Sequence, residues 1–230
     1  MNNQDKKYIA EKTAEIFLEI GAVSFRFNPP FTFTSGLKSP IYLDNRIILS
    51  YPHARHQIID FYIEMIRKNL DLSKIDYISA TASAAIPQGS IIAYRLGLPM
   101  IYVRPTTKSY GKGNKLEGYF KKGSQALIIE DHISTASSVV NNALTIREEG
   151  GKVNYCVATT TYETVQSKEN FKKYKLKLIY LTTGKTIVEM AFKRGIINEE
   201  EKRWVDLWFA DSKNWEKIFL KNKNEIHSKT

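Results

Sequence analysis

A chain of 230 residues with 43% hydrophobic and 25% charged side chains is long enough to bury one sizeable α/β core, and it carries no disorder signal. It has no apolar run of ~18 residues and no apolar leader in MNNQDKKYIAEK, and its lone Cys156 excludes an internal disulfide framework; a cytoplasmic protein without a membrane partner is expected. The net charge of +10, from 34 basic against 24 acidic side chains, would attract phosphate on any carrier, but the lysines are spread along the chain and peak in the tail KIFLKNKNEIHSKT, so no nucleic-acid partner is expected either.

Lys7 to Ile20 places Ile9, Thr13, Ile16, Phe17 and Ile20 on one helical face, and Gly21 stops the helix. Alternating Phe31 and Phe33 read as a strand, Ser35-Gly36 as a turn and Ile41 to Leu43 as a second strand, together a hairpin. His53 to Asn69 is an amphipathic helix carrying Ile58, Ile59, Tyr62, Met65 and Ile66, and Leu72 to Ile78 leads into a strand. Ala80 to Ser90 is a run of small residues before a helix over Ile91 to Leu96. Such a run suits either the approach of a backbone to an anion or close packing of helix on sheet. Leu98 to Val103 is a buried strand. Arg104 to Gly118 follows its end with Arg104, Lys108, Lys112 and Lys115, several glycines and no apolar residue except Leu116, the composition of a long, mobile basic loop.

Ala126 to Ile129 reads as a strand buried on both faces, and Val139 to Arg147 as a helix. Between them, Glu130 and Asp131 stand at the carboxyl end of the strand, where open α/β sheets bind ligands. Ser134, Thr135, Ser137 and Ser138 crowd the turn into the helix. Free N–H groups at a helix start point at an anion, small residues let it approach and hydroxyls add donors, while the carboxylates can accept from sugar hydroxyls or face a hydrated magnesium. Gly150-Gly151 ends the helix, Val153 to Thr161 forms a strand, and Tyr162-Glu163 closes it at another ligand-facing end. Phe171 to Lys175 and Leu176 to Thr182 are expected as a further strand, and Thr186 to Arg194 and Glu199 to Trp208 as helices. Trp208 and Trp215 would staple the terminal helix to the body.

Four of these stretches, in this order, resemble those of the orotate phosphoribosyltransferases, a family of type I phosphoribosyltransferases. ALIIEDHISTASS is similar to the phosphoribosyl-pyrophosphate (PRPP) signature, two acidic residues followed by a Thr/Ser-rich turn. The segment from Phe31 to Arg46 resembles the N-terminal signature at Phe31, Thr32, Ser35, Gly36, Lys38, Ser39, Pro40, Tyr42, Asp44 and Arg46. Arg104 to Gly118 is similar to the catalytic loop, and WFADSKNWEK to a C-terminal W-x-x-D-P-x-x-W. The chain departs from the pattern at Ala84, Ala85, Ala136 and Ser137, where the family usually has glycine, and at Tyr110, where it usually has His. If the turn after Asp131 needs positive φ, Ala136 is strained.

The resemblance implies an α/β fold of the type I phosphoribosyltransferase kind, a parallel sheet flanked by helices with a small N-terminal hood and a mobile basic loop. It implies one domain over 1–230, with helix and hood to about residue 50, core to about 185 and C-terminal helices beyond. The activity implied is transfer of the phosphoribosyl group of PRPP to orotate, giving orotidine 5'-monophosphate and pyrophosphate with Mg2+ as cofactor. Arg104, Lys108, Tyr110 and Asp131 would be catalytic. PRPP would be bound by Arg104, Lys108 and Tyr110 and by the run Glu130, Asp131, His132, Ile133, Ser134, Thr135, Ala136, Ser137 and Ser138. Orotate would meet Lys38, Tyr42, Leu43, Arg46 and Ser134. Magnesium would be held mainly by PRPP with Glu130 and Asp131 nearby, and a homodimer would bring the basic loop to the neighbouring site. Two rivals are a purine or uracil phosphoribosyltransferase, which the segment from Phe31 to Arg46 argues against, and a non-catalytic PRPP-sensing regulator, which should lose Arg104 and Lys108 and add a nucleic-acid module.

Overall fold

The computed structural model describes residues 1–33, 36–105 and 115–220. In chain order they form α1 (Asn3–Glu19), β1 (Val23–Phe25), β2 (Phe31–Thr32), β3 (Lys38–Ser39), β4 (Ile41–Leu43), α2 (Pro52–Asn69), β5 (Tyr77–Thr81), α3 (Ile86–Leu96), β6 (Met100–Val103) and β7 (Leu116–Glu117). They continue with β8 (Gln125–Ile133), α4 (Ser137–Glu148), β9 (Lys152–Thr161), α5 (Val165–Lys173), β10 (Lys177–Thr183), α6 (Gly184–Lys193) and α7 (Glu199–Ala210). Six strands make one sheet in the order β10-β9-β8-β5-β6-β7, parallel except where β7 closes the edge antiparallel to β6.

Side-chain alternation along the strands builds a core on each face. Leu127 and Ile129 of β8 join Ile78, Val157 and Leu181 beneath α1, α2 and α6. Ala126 and Ile128 face the other way, with Cys156 and Ala158, onto Val139, Ala143 and Ile146 of α4 and Phe171 of α5. A strand covered on both faces needs apolar residues at every position, which is why Ala126–Ile129 reads as an unbroken run. Each fully buried Ile or Val contributes about 1.5–3 kcal/mol. At α3 the close packing has a specific cause: a Cβ on Gly89 would sit 2.8 Å from Ala80 Cβ, so the helix rests on β5 because neither residue carries bulk.

Four elements differ from the sequence expectation, the shortest being Leu116–Glu117, read as the end of the basic loop, which pairs antiparallel with Tyr102 and Val103. Ile41–Leu43 does not pair with the Phe31 strand; it pairs antiparallel with Val23–Phe25, while Phe31–Thr32 pairs with Lys38–Ser39. Pro40 separates the two ladders, and a three-residue strand such as Val23–Phe25 is too short to show a period. Phe171 to Lys175 is not strand: through Lys173 it is the end of α5, whose one deep apolar anchor is Phe171. Helix α3 begins at Ile86 rather than Ile91, because Pro87 falls in the first turn, where its missing N–H costs nothing.

The C-terminal tryptophans close the core as expected. Trp215 is fully buried, donates its indole N–H to the Trp204 carbonyl at 2.8 Å and stacks on Phe219. No helix among the described residues is long and apolar enough to cross a membrane.

Candidate active site

The carboxyl ends of β8 and β9 need a cover, and the N-terminal hood supplies it through buried polar contacts. Asn45, in the 3₁₀ turn Asn45–Ser50 that follows β4, donates through Nδ2 to the Asp131 carbonyl (2.5 Å) and to Thr160 Oγ1 (2.8 Å). From α2, the buried Tyr62 hydroxyl donates to the Glu130 carbonyl at 2.7 Å and lies 2.7 Å from Thr159 Oγ1. A cavity of about 450 Å³ remains between hood and sheet. The hood contributes Phe33, Tyr42, Leu43 and Arg46; the core contributes Ala84, Asp131, His132, Ser134 and Tyr162.

The small-residue run divides its labour: Ala80 accommodates Gly89 and Ala84 reaches the cavity. The Ala82–Ser83 peptide in this loop is cis.

The turn after β8 is held from behind by α5. Thr164 donates its hydroxyl to the Ser134 carbonyl at 2.6 Å, and Asn170 Nδ2 donates to the Thr135 carbonyl at 2.8 Å. Ala136 takes φ +66°, the left-handed conformation, and caps α4 with no side-chain hydrogen bond to the first turn. Ser137 and Ser138 are exposed at that helix start, while Ile133 turns its side chain into the core and can act only through its backbone. The Thr135 and Ser137 hydroxyls bond each other at 2.9 Å and the Ser137 N–H reaches Thr135 Oγ1 at 3.4 Å, so what this helix start offers an anion is its remaining N–H groups.

The two carboxyl groups are not equivalent. Asp131 lines the cavity, whereas Glu130 is buried beneath it, with Oε1 accepting from the Asp131 N–H at 3.0 Å and Oε2 unpartnered among the described residues. Burial, reinforced by the Asp131 charge, pushes the Glu130 carboxyl well above its ordinary range. Burial also raises Asp131, against the opposing pull of hydrogen bonds and of the Arg46 charge. Of the adjacent pair, Glu130 is therefore the one that keeps a proton. Among the described residues no group of three or more His, Cys, Asp or Glu side chains could cage a metal. Asp131 alone faces the cavity with the Glu130 carboxyl buried beneath it, and a single cavity carboxylate fits a magnesium that takes most of its ligands from phosphates and water.

In the hood, Arg46 forks onto Asp44, Nε to Oδ1 at 2.7 Å and Nη2 to Oδ2 at 2.9 Å. The hydrogen-bonded guanidinium holds the Asp44 carboxyl below its usual value. Tyr42 stands exposed at the cavity rim, in contact with Phe31 and Phe33, and Leu43 is buried behind it. Lys38 does not line the cavity: its ammonium donates to Thr32 Oγ1 at 2.8 Å within its own hairpin. Arg104 leaves β6 half-buried, 3.4 Å from Glu117, with its carbonyl accepting from Asn141 Nδ2 at 3.3 Å. Lys108 and Tyr110 lie outside the described residues, as do Ser35 and Lys112.

The structure thus brings Tyr42, Leu43, Arg46, Asp131, His132 and Ser134 to one cavity. Sequence reasoning missed Asn45, Thr160 and Tyr62, which hold the strand ends, and Thr164 and Asn170, which hold the turn. The one available signal was position, since Thr160 and Tyr162 sit at a strand's carboxyl end beside Glu130 and Asp131.

No family model matches the chain. It is similar to the curated orotate phosphoribosyltransferase of Coxiella burnetii, 42% identical over 207 residues, 90% of this chain and 98% of that protein. The curated orotate phosphoribosyltransferase of Enterococcus faecalis is 38% identical over 209 residues, 91% of this chain and 99% of that one. Among solved structures, the orotate phosphoribosyltransferase from Aeropyrum pernix superposes with a TM-score of 0.69 at 25% identity, over 80% of this chain and 99% of that one.

Proposed function

The chain belongs to the orotate phosphoribosyltransferase family, and from that premise we propose that it joins orotate to PRPP with release of pyrophosphate, giving orotidine 5'-monophosphate for pyrimidine nucleotide synthesis. The observation that carries this reading is the shared cavity, in which an aromatic hood faces a carboxylate and an anion-ready turn across about 450 Å³.

In such a transfer the ribosyl carbon gains positive charge as pyrophosphate leaves, so the protein must hold both ends of PRPP and shelter the charge between them. Asp131 accepts from the ribose hydroxyls, and the proton kept on Glu130 limits the charge repulsion beneath it. The Ser134 to Ser138 turn takes the 5'-phosphate through its N–H groups and hydroxyls. Tyr42 and Leu43 pack on the flat pyrimidine, while Arg46, already oriented by Asp44, has guanidinium donors left for a ligand oxygen. Arg104 starts the segment that, with Lys108 and Tyr110, would meet the pyrophosphate. Magnesium, when bound, would neutralise the phosphate oxygens beside Asp131.

We further propose a two-fold dimer in which the segment from Arg104 to Gly118 serves the neighbouring site, in the cytoplasm, with no membrane or nucleic-acid partner. The test is an assay of orotate consumption with PRPP and magnesium, followed with and without chelator. Orotidine 5'-monophosphate should form and disappear with the metal. Turnover of adenine or uracil in place of orotate would overturn the assignment.

A further inference from the structure

Helix α4 carries Asn141 and Asn142 side by side near its middle, and asparagine is among the poorer helix formers because its amide competes for backbone groups. Asn142 lies on the face that enters the core with Val139, Ala143 and Ile146, and it is fully buried. A buried amide has to be bonded, and this one bonds twice to a single strand. Ser79 Oγ donates to its Oδ1 at 2.8 Å, and its Nδ2 donates to Thr81 Oγ1 at 3.1 Å. Ser79 and Thr81, two apart on β5, point to the same face of the sheet, and both are buried. Each hydroxyl can donate or accept, so the bridge stands whichever way the amide is turned. Asn141 reaches the exit of the neighbouring strand: its Nδ2 donates at 3.3 Å to the carbonyl of Arg104, the residue that follows β6.

We propose that Asn141 and Asn142 are positioning residues for PRPP, fixing how α4 sits against the ends of β5 and β6. This rests on the functional reading above and adds to it two residues that touch no substrate. Three segments assigned to PRPP converge on the pair. Helix α4 begins at the Ser134 to Ser138 turn, and Ser138 stands one helical turn before Asn142. Thr81 is the last residue of β5, and Ala84, in the loop that follows it, lines the cavity. Arg104 opens the basic segment after β6. Apolar contacts hold a helix on a sheet without direction, whereas a hydrogen bond weakens steeply with angle and length. Two bonds to β5 and one to the Arg104 carbonyl therefore set the spacing between the groups that meet the two ends of PRPP, where a misplacement of about 1 Å is costly. The base side of the cavity, built by Tyr42, Leu43 and Arg46 of the hood, is held by other contacts.

Single substitutions in the full chain test this, with the melting temperature and the KM of each substrate as readouts. Thr81→Val removes the bond at the strand end, and Ser79→Ala removes the one two residues deeper. Both should lower the melting temperature, but only Thr81→Val should raise the KM for PRPP, at least about fivefold, with that for orotate within about twofold. Asn142→Leu, which loses both bonds at similar volume, should raise it at least as much, and Asn141→Ala, which frees the Arg104 carbonyl alone, about threefold. Should Asn142→Leu fail to fold, the Thr81 and Ser79 variants decide. Equal effects of Thr81→Val and Ser79→Ala on the KM for PRPP, an Asn141→Ala enzyme with the wild-type value, or a parallel rise in both KM values overturns the proposal and leaves the asparagines as packing residues. Wild-type protein without orotate turnover overturns the functional reading along with it, and that assay tells the two failures apart.

Discussion

The indole N–H of Trp208 donates to the carbonyl of Lys38 across 2.8 Å, joining α7 to the hairpin that overhangs the cavity. The same ring lies edge-on to Phe33 and to Tyr162, so one side chain touches both the hood and the cavity wall. Trp208→Phe keeps much of the ring and removes the donor. It should cost about 1 kcal/mol in urea denaturation. The KM for orotate should rise roughly threefold with that for PRPP unchanged, because only the hood loses a tether. A variant with wild-type orotate affinity would show that the hood is positioned without it.

Asp131 is the carboxylate that faces the cavity, so Asp131→Asn should lower kcat/KM at least about tenfold, or about 1.4 kcal/mol, with the melting temperature little changed. The proposed dimer allows a sharper test by mixing subunits. An inactive Lys108→Ala chain combined with an inactive Asp131→Asn chain should regain part of the activity, because one composite site inherits both intact parts. No recovery after verified subunit exchange would rule out a shared site.

Ala136 sits at φ +66°, where a Cβ crowds the backbone by about 1–2 kcal/mol. Glycine relieves the strain and loses about 0.5–1 kcal/mol through the freedom of the unfolded chain. Ala136→Gly should therefore be neutral to slightly stabilising, and Ala136→Val clearly destabilising. Chemical denaturation of the three proteins decides; a glycine variant markedly weaker than wild type would mean the methyl contributes packing that outweighs the strain.

Glu130 keeps its proton in the fold to a pH above the ordinary carboxylate range. Above about pH 4.3, where the unfolded carboxyl ionises, the folded state binds more protons, so stability falls as pH rises. His132 acts oppositely: its folded value of about 4 lies below the unfolded one, so its contribution is lost as pH falls from about 6.5 toward 4. Comparing Glu130→Gln with wild type cancels the histidine. The variant's melting temperature should climb relative to wild type between about pH 4.5 and 8. A gap that does not change with pH would mean that Glu130 is ionised in the folded protein.

What was readable beforehand follows from how local each signal is. Ala126–Ile129 announces a doubly covered strand by itself, and the carboxylates after it mark a ligand-facing end because parallel sheets place sites there. The conditional reading of Ala136 rested on turn chemistry and was met by its observed φ. Val23–Phe25 left no trace because three residues hold no period. Helix α5 was hidden because Val165 is 73% exposed and Phe171 is its one large buried side chain, too few apolar positions to mark a face. Asn45 and Thr160 look like ordinary polar residues until the fold sets them 2.8 Å apart from positions 115 residues distant.

Helix α5 touches no part of the cavity, yet it sets the polarity of the turn above it. A trans peptide points its C=O and N–H in opposite directions, and the only cis peptides among the described residues are elsewhere. Thr164 and Asn170 draw the Ser134 and Thr135 carbonyls toward the helix, which turns the amide hydrogens of Thr135 and Ala136 to the opposite side. Two consecutive peptide planes are thereby locked with their positive edges outward. A preference of this loop for an anion over a cation would thus be set from the rear, by side chains that do not line the cavity.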